Sequence, residues 1–99
     1  MEQKLLKIIN HYGVNHQLRK FNEEAFELIE AIINGELNRF IGISRKPSEL
    51  AIKHITEEIA DVMVMLKQFQ CYYKINREEV RKIMNEKIDR QLDRMKEEK

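Results

Sequence analysis

The chain has 99 residues, enough for one domain that buries only about 60–68% of the surface of its unfolded form. Its formal net charge is +1 with 35% charged residues, so no general electrostatic attraction to nucleic acid or to an anionic membrane is expected. The apolar runs are short and no signal-type region opens the sequence, which predicts a cytoplasmic protein without membrane spans.

A short first helix is predicted from Glu2 to about His11, because apolar residues recur at helical spacing along it. Gly13 should end this helix in the left-handed conformation that glycine tolerates. Asn15 follows at a position suited to capping the next helix. We therefore expect a tight break between two helices near residue 13.

The second helix is predicted from about His16 to Ile33, and Asn34 and Gly35 should end it. Residues 35–47 form the longest stretch without a helical pattern, although their apolar content is high for a surface loop. One interpretation is a partly ordered connection that helps to wall a site. A loop docked only for stability explains the pattern equally well.

The third helix should begin near Pro47 and Ser48, since proline suits the first helical turn, and should continue to about Tyr73. Its apolar residues extend well round the helix instead of forming a single stripe. Such a helix is typical of a core larger than one small chain provides. The sequence therefore predicts a homodimer or a dimer of dimers.

Cys71, the only cysteine, is interpreted as a packed thiol.

Asn76 and Glu79 resemble a capping box at the start of a fourth helix that should extend to about Lys96. One apolar edge runs along this helix and comprises Val80, Met84, Ile88, Leu92 and Met95. Three basic residues gather on an adjoining face, namely Lys87, Arg90 and Arg94. The whole pattern predicts an all-α protein, a compact four-helix bundle with one short and three longer helices that completes its core by oligomerisation.

Two acidic pairs with the same spacing lie inside the apolar patterns of the second and third helices. Glu24 and Glu27 flank the apolar stripe of one helix, and Glu58 and Asp61 flank that of the other. Two such helices packed face to face would gather four carboxylates, and burying unpaired anions is costly or forces protonation. A divalent cation resolves this conflict, and ligands that are all oxygen favour Mg²⁺ or Mn²⁺ over zinc.

The same segments resemble the ExxE and ExxD helices of the MazG-like all-α nucleoside triphosphate pyrophosphohydrolases. The resemblance is carried by residues 20–32, KFNEEAFELIEAI, and by residues 57–62, EEIADV. In both segments the leading acid is doubled as Glu-Glu and the motif is embedded in apolar sequence. The resemblance covers nearly the whole chain and implies a single MazG-like domain over residues 1–99.

Hydrolysis of a nucleoside triphosphate to the monophosphate and pyrophosphate, with Mg²⁺ as cofactor and Mn²⁺ as a possible substitute, is the reaction that the resemblance implies. The corresponding metal ligands and catalytic residues are Glu24, Glu27, Glu58 and Asp61. The basic residues Lys87, Arg90 and Arg94 match basic positions in the terminal helix of the family, and Lys20 lies one turn before Glu24. These four are candidates for binding the triphosphate, with a solvated basic face as the alternative for the terminal helix.

Other interpretations of the acids stay open. They are also compatible with a non-catalytic helical oligomer or interaction module, in which they pair with Lys and Arg, and with a relative that acts on phosphoribosyl-ATP. A di-iron carboxylate bundle would need Glu-x-x-His pairs, which this chain lacks. His54, one turn before Glu58, is either an outer partner of the site or an ordinary helix histidine, and His16 is assigned no role. Base and sugar preference are not encoded in any motif that we identify.

Overall fold

A computed structural model describes residues 1–40 and 48–98, and the side chains of residues 38–40 lie outside the description. Within these ranges the chain is all-α, with no strand: α1 (Glu2–Tyr12), α2 (Val14–Phe40), α3 (Glu49–Tyr72) and α4 (Arg77–Glu97). The predicted all-α class with one short and three longer helices is therefore confirmed for the described part of the chain. None of the described helices is long and apolar enough to cross a bilayer.

Gly13 forms the whole break between α1 and α2. Its N–H donates to the carbonyl of Ile9 at 2.8 Å, and its own carbonyl accepts from the N–H of Gln17 at 3.1 Å. The predicted positive φ is present, but φ 88° and ψ 154° place Gly13 in an extended region that is essentially restricted to glycine, not in the left-handed helical region. The predicted cap at Asn15 is wrong, because α2 begins at Val14 and Asn15 lies in its first turn.

The end of the second helix differs from the prediction. Asn34 and Gly35 were expected to stop it, whereas α2 continues to Phe40. Glycine inside a helix costs about 1 kcal/mol relative to alanine, and packing evidently offsets this cost, since Gly35 and Ala31 are both buried. Residues 35–40 of the predicted irregular connection are thus helical, and its remainder, residues 41–47, lies outside the described residues.

The start of α3 agrees with the prediction. The hydroxyl of Ser48 accepts a hydrogen bond from the N–H of Ala51 at 3.1 Å, so Ser48 is the N-cap; the predicted role of Pro47 falls outside the described residues. The helix ends at Tyr72, after which Lys74 takes a positive φ of 54°.

A polar side chain also caps α4. The side-chain oxygen of Asn76 accepts from the N–H groups of Glu78 and Glu79, at 2.8 and 3.1 Å. The cap predicted at Asn76 is confirmed. The Asn76 cap could be predicted from the sequence because a capping hydrogen bond joins residues only two or three positions apart.

The first three helices form a packed body, in which α2 and α3 share the largest interface and α1 lies against both. Phe21 of α2 meets Phe69 of α3 edge to face, with ring centroids 5.9 Å apart, and Gln17 contacts Gln68. Because early residues of α2 meet late residues of α3, the two helices run antiparallel. The buried apolar side chains of the described residues are Leu5, Ile9, Ala31 and Met65.

Helix α4 stands apart from this body. It contains no buried residue, and along its apolar edge Met84, Ile88, Leu92 and Met95 are each about half exposed. The radius of gyration is 17.3 Å, well above the value of about 13 Å for a compact chain of this length. A single chain therefore packs three of its four helices, and the apolar edge of α4 has no equivalent partner within the described residues.

Candidate metal centre

Three carboxylates meet where the middle of α2 crosses α3. Glu24 and Glu27, one turn apart on α2, and Glu58 of α3 each offer an oxygen, and these oxygens lie within 4.8 Å of one another. The spacing of three residues brings the first two to one side of α2, and antiparallel packing places Glu58 opposite them. We call these three residues the carboxylate cluster.

The cluster is buried on one side and open on the other. Glu24 is only 8% exposed, the side chain of Glu58 is 12% exposed, and Glu27 lies at the solvent-facing edge. One oxygen of each buried acid, Oε2, is shielded from solvent and has no hydrogen-bond partner among the described residues. An unpartnered buried carboxylate oxygen is costly, and a bound cation would remove that cost.

The second oxygen of each buried acid has a basic neighbour one turn earlier on its own helix. The ammonium of Lys20 lies 3.1 Å from Oε1 of Glu24, and the hydrogen bond to this carboxylate raises the pKa of Lys20. His54 Nδ1 lies 4.0 Å from Oε1 of Glu58. Both basic side chains are about half exposed, so they close the rim of the cluster and leave the inner oxygens unpaired.

Electrostatic repulsion within the cluster is visible at Glu27. The negative charge of Glu24 raises the pKa of Glu27 above its ordinary value of 4.5, and desolvation and the charge of Glu58 raise it further. Lys20 opposes this effect only in part. The arrangement thus concentrates negative charge at a point where the basic side chains recorded among the described residues, Lys20 and His54, lie at the rim.

Asp61, the fourth predicted ligand, lies outside the set of converging oxygens. It is exposed, although its charge is close enough to contribute to the raised pKa of Glu27. Its side chain is one methylene shorter than that of glutamate and reaches less far from α3. The structure therefore brings together three of the four predicted acids and leaves Asp61 beside them.

The predicted phosphate-binding residues fall into two groups. Lys20 lies at the carboxylate cluster. Lys87, Arg90 and Arg94 are exposed on α4, which is not part of the packed set of α1, α2 and α3. A single chain thus does not assemble these three basic residues on the cluster.

Two buried amides near the cluster were not identified from the sequence. Gln17 and Gln68 are 3% and 2% exposed, and the amide of Gln17 donates to Oε1 of Gln68 at 2.7 Å. Helical spacing could have placed Gln17 on the buried face of α2, because it lies one turn before Phe21 and two turns before Glu24. A polar residue at such a position predicts a buried hydrogen bond, but the sequence does not name the partner.

Chemically, the cluster suits a hard divalent cation. Carboxylate oxygens from two helices can occupy part of the coordination shell of Mg²⁺ or Mn²⁺, and the open side at Glu27 leaves positions for water or phosphate oxygens. Comparison of the chain with models of known families, with curated proteins and with solved structures finds no match. The MazG-like resemblance therefore stays a prediction from residues 20–32 and 57–62.

Proposed function

We propose that this protein is a metal-dependent nucleoside triphosphate pyrophosphohydrolase, which converts an NTP or dNTP and water into the monophosphate and pyrophosphate. The observation that carries the proposal is the pair of buried, unpartnered Oε2 atoms on Glu24 and Glu58. A carboxylate oxygen of each of these two acids also lies within 4.8 Å of an oxygen of Glu27. Three neighbouring carboxylates at the edge of a small core are stabilised by a ligand of opposite charge. The resemblance to the MazG-like family indicates which reaction such a site would catalyse.

In this proposal Glu24, Glu27 and Glu58 hold the cation, and Asp61 completes the acidic rim. A bound Mg²⁺ or Mn²⁺ would stabilise charge on the triphosphate and help to activate water. Water adds at the α-phosphorus, the bond from that phosphorus to the oxygen bridging to the β-phosphorus breaks, and pyrophosphate leaves. Glu27, at the solvent-facing edge, is the carboxylate best placed to accept the proton of water.

Lys20 has two roles in the proposal. Its ammonium pairs with Glu24 and partly neutralises the cluster. When a cation takes over that neutralisation, the half-exposed Lys20 is free to bind a phosphate oxygen. A lysine is suited to this exchange because its charge sits on a long, flexible stem.

Assembly into a dimer or a dimer of dimers would complete the core. The exposed apolar edge of α4 and the large radius of gyration support this part of the proposal. Assembly would also give Lys87, Arg90 and Arg94 a route to the carboxylate cluster of a neighbouring chain. Their role in binding triphosphate therefore depends on the oligomer.

A non-catalytic helical module is the second candidate. It is favoured by the neighbours of the acids, because Lys20 lies beside Glu24 and His54 beside Glu58, as simple charge pairing requires. This interpretation does not account for the buried Oε2 atoms of Glu24 and Glu58, which have no hydrogen-bond partner among the described residues.

Pyrophosphate release separates the two candidates. The purified protein is incubated with ribo- and deoxyribonucleoside triphosphates and with phosphoribosyl-ATP, in Mg²⁺, in Mn²⁺ and in chelator. The proposal predicts monophosphate and pyrophosphate in equal amounts from at least one substrate, only with metal. A folded protein that leaves every substrate intact would favour the module, whereas turnover confined to phosphoribosyl-ATP would assign the chain to that related activity.

A further inference from the structure

An open cleft of about 620 Å³ lies where α1, the start of α2 and the end of α3 meet. Its volume is in the range of small-molecule sites. Its lining residues include Tyr12, His16, Gln17, Lys20 and Gln68. We call it the amide cleft.

Lys20 joins the amide cleft to the carboxylate cluster. It lines the cleft, and its ammonium lies 3.1 Å from Glu24. The two sites are therefore neighbours along the α2–α3 interface. A molecule with a polyanionic end at the cluster would have its other end in the cleft.

The two amides are held rigidly and keep unused hydrogen-bonding capacity. Gln17 donates to Gln68 at 2.7 Å, and Oε1 of Gln17 lies 2.8 Å from Nδ1 of His16. The amide nitrogen of Gln68 lies 3.7 Å from the sulfur of Met65. Because each amide has two donors and two acceptor lone pairs, these contacts leave one N–H of each amide unused.

An aromatic platform lies beside these amides. The rings of Tyr12 and His16 are stacked, with centroids 4.8 Å apart and an angle of 17° between their planes. The ring of His11 also meets Tyr12 edge to face, with centroids 4.7 Å apart, but Tyr12 is still 54% exposed, so more than half of its surface is accessible. A flat heterocycle can stack on such a face irrespective of its substituents, whereas fixed amides distinguish the polar edges of different heterocycles.

We propose that the amide cleft binds the nucleobase of the triphosphate, with Tyr12 stacking on the ring and Gln17 and Gln68 reading its edge. The orientation of the phosphates toward the carboxylate cluster rests on the proposed function. Base selection then depends on a buried amide pair that bridges α2 and α3. The metal ligands take no part in it.

Binding of nucleosides tests the cleft without phosphate or metal. Adenosine, guanosine, cytidine, uridine and thymidine are titrated into the full chain in chelator, and binding is measured by saturation-transfer NMR. We expect saturable binding of at least one nucleoside, weakened about tenfold or more by Tyr12→Ala. Tyr73→Ala, which removes a similarly exposed tyrosine outside the cleft, should leave binding unchanged. No binding, or equal binding by wild type and Tyr12→Ala, would overturn the proposal.

Measurements of turnover test the base-binding role of the amide cleft separately from the proposed enzymatic function. With an active protein, Gln68→Met should flatten the ratios of kcat/KM among the nucleoside triphosphates, and Tyr12→Ala should lower kcat/KM for them relative to tripolyphosphate. Unchanged ratios in both variants would overturn the base assignment while the enzymatic function stands. If Gln68→Met does not fold, the kcat/KM values of Tyr12→Ala alone test the base assignment. Nucleoside binding that depends on Tyr12, without any hydrolysis, would support the cleft and refute the proposed function.

Discussion

Glu24 and Glu58, on facing helices, have matching environments. In each, Oε2 is buried without a partner, and Oε1 lies beside a basic side chain one turn earlier, Lys20 at 3.1 Å or His54 at 4.0 Å. The inner pair of oxygens therefore requires a partner that the described residues do not provide. The proposed cation site follows from this relationship.

Glu58→Gln should lower the rate of metal-dependent turnover by about a hundredfold or more, because it removes the negative charge of a metal ligand. The amide has nearly the same shape, so circular dichroism and oligomeric state should not change. Glu30→Gln is the matched control, since Glu30 is an exposed acid of α2 outside the cluster. Equal activity of the wild type and Glu58→Gln would remove Glu58 from the site.

Lys20→Met should strengthen the binding of Mn²⁺ and weaken the binding of the triphosphate. Removal of the ammonium that competes for Glu24 should tighten Mn²⁺ binding, whereas loss of a phosphate partner should raise KM for the triphosphate. Isothermal titration with Mn²⁺ and steady-state kinetics measure the two effects. Lys4→Met, at an exposed position of α1, should change neither. Weaker Mn²⁺ binding in Lys20→Met would contradict competition between lysine and metal.

Ionisation of Glu27 should lower the stability of the metal-free protein as the pH rises. Its pKa in the folded protein is raised above 4.5, so the native state holds this proton more tightly than the unfolded state. The contribution of Glu27 to stability is therefore greatest at acidic pH and falls as pH rises through the folded pKa. As pH rises above 4.5, urea unfolding in chelator should show the wild type losing stability relative to Glu27→Gln. Parallel curves for the two proteins would show that no such repulsion exists.

Gly13→Ala should destabilise the protein by about 1–3 kcal/mol, because φ 88° and ψ 154° are accessible essentially to glycine alone. No atom lies within 4 Å of the added Cβ, so the cost is one of backbone conformation. Asn15→Ala should change stability by no more than about 0.5 kcal/mol, since Asn15 is not a cap. Urea denaturation measures both, and a loss of about 1 kcal/mol in Asn15→Ala would restore the capping role.

A double charge on the apolar edge of α4 should dissociate the oligomer. Met84→Glu with Ile88→Glu places two carboxylates on the surface that we propose to be covered by another chain. Light scattering coupled to size exclusion should show a dimer or tetramer for the wild type and a monomer for this variant. Lys82→Glu, on a different face of α4, should keep the assembly. A monomeric wild type would contradict assembly through this edge.

Local signals in the sequence were the reliable ones. The Asn76 cap and the start of α3 near Ser48 were predicted from signals within one helical turn, and helical phase predicted that Glu24, Glu27 and Glu58 come together. The stop at Gly35 failed because burial of this residue outweighs its low helix propensity. The pairing of Gln17 with Gln68, 51 positions apart, depends on tertiary packing, which no pattern within one helix specifies. The detachment of α4 likewise depends on the whole fold.

Binding of Mn²⁺ to the metal-free protein tests the central claim most directly. Electron paramagnetic resonance counts free Mn²⁺ during titration of the wild type, Glu58→Gln and Glu30→Gln. We predict saturable binding to the wild type and to Glu30→Gln, and affinity at least about tenfold weaker in Glu58→Gln. Absence of saturable binding, or equal affinity in all three proteins, would contradict a cation site at Glu24, Glu27 and Glu58.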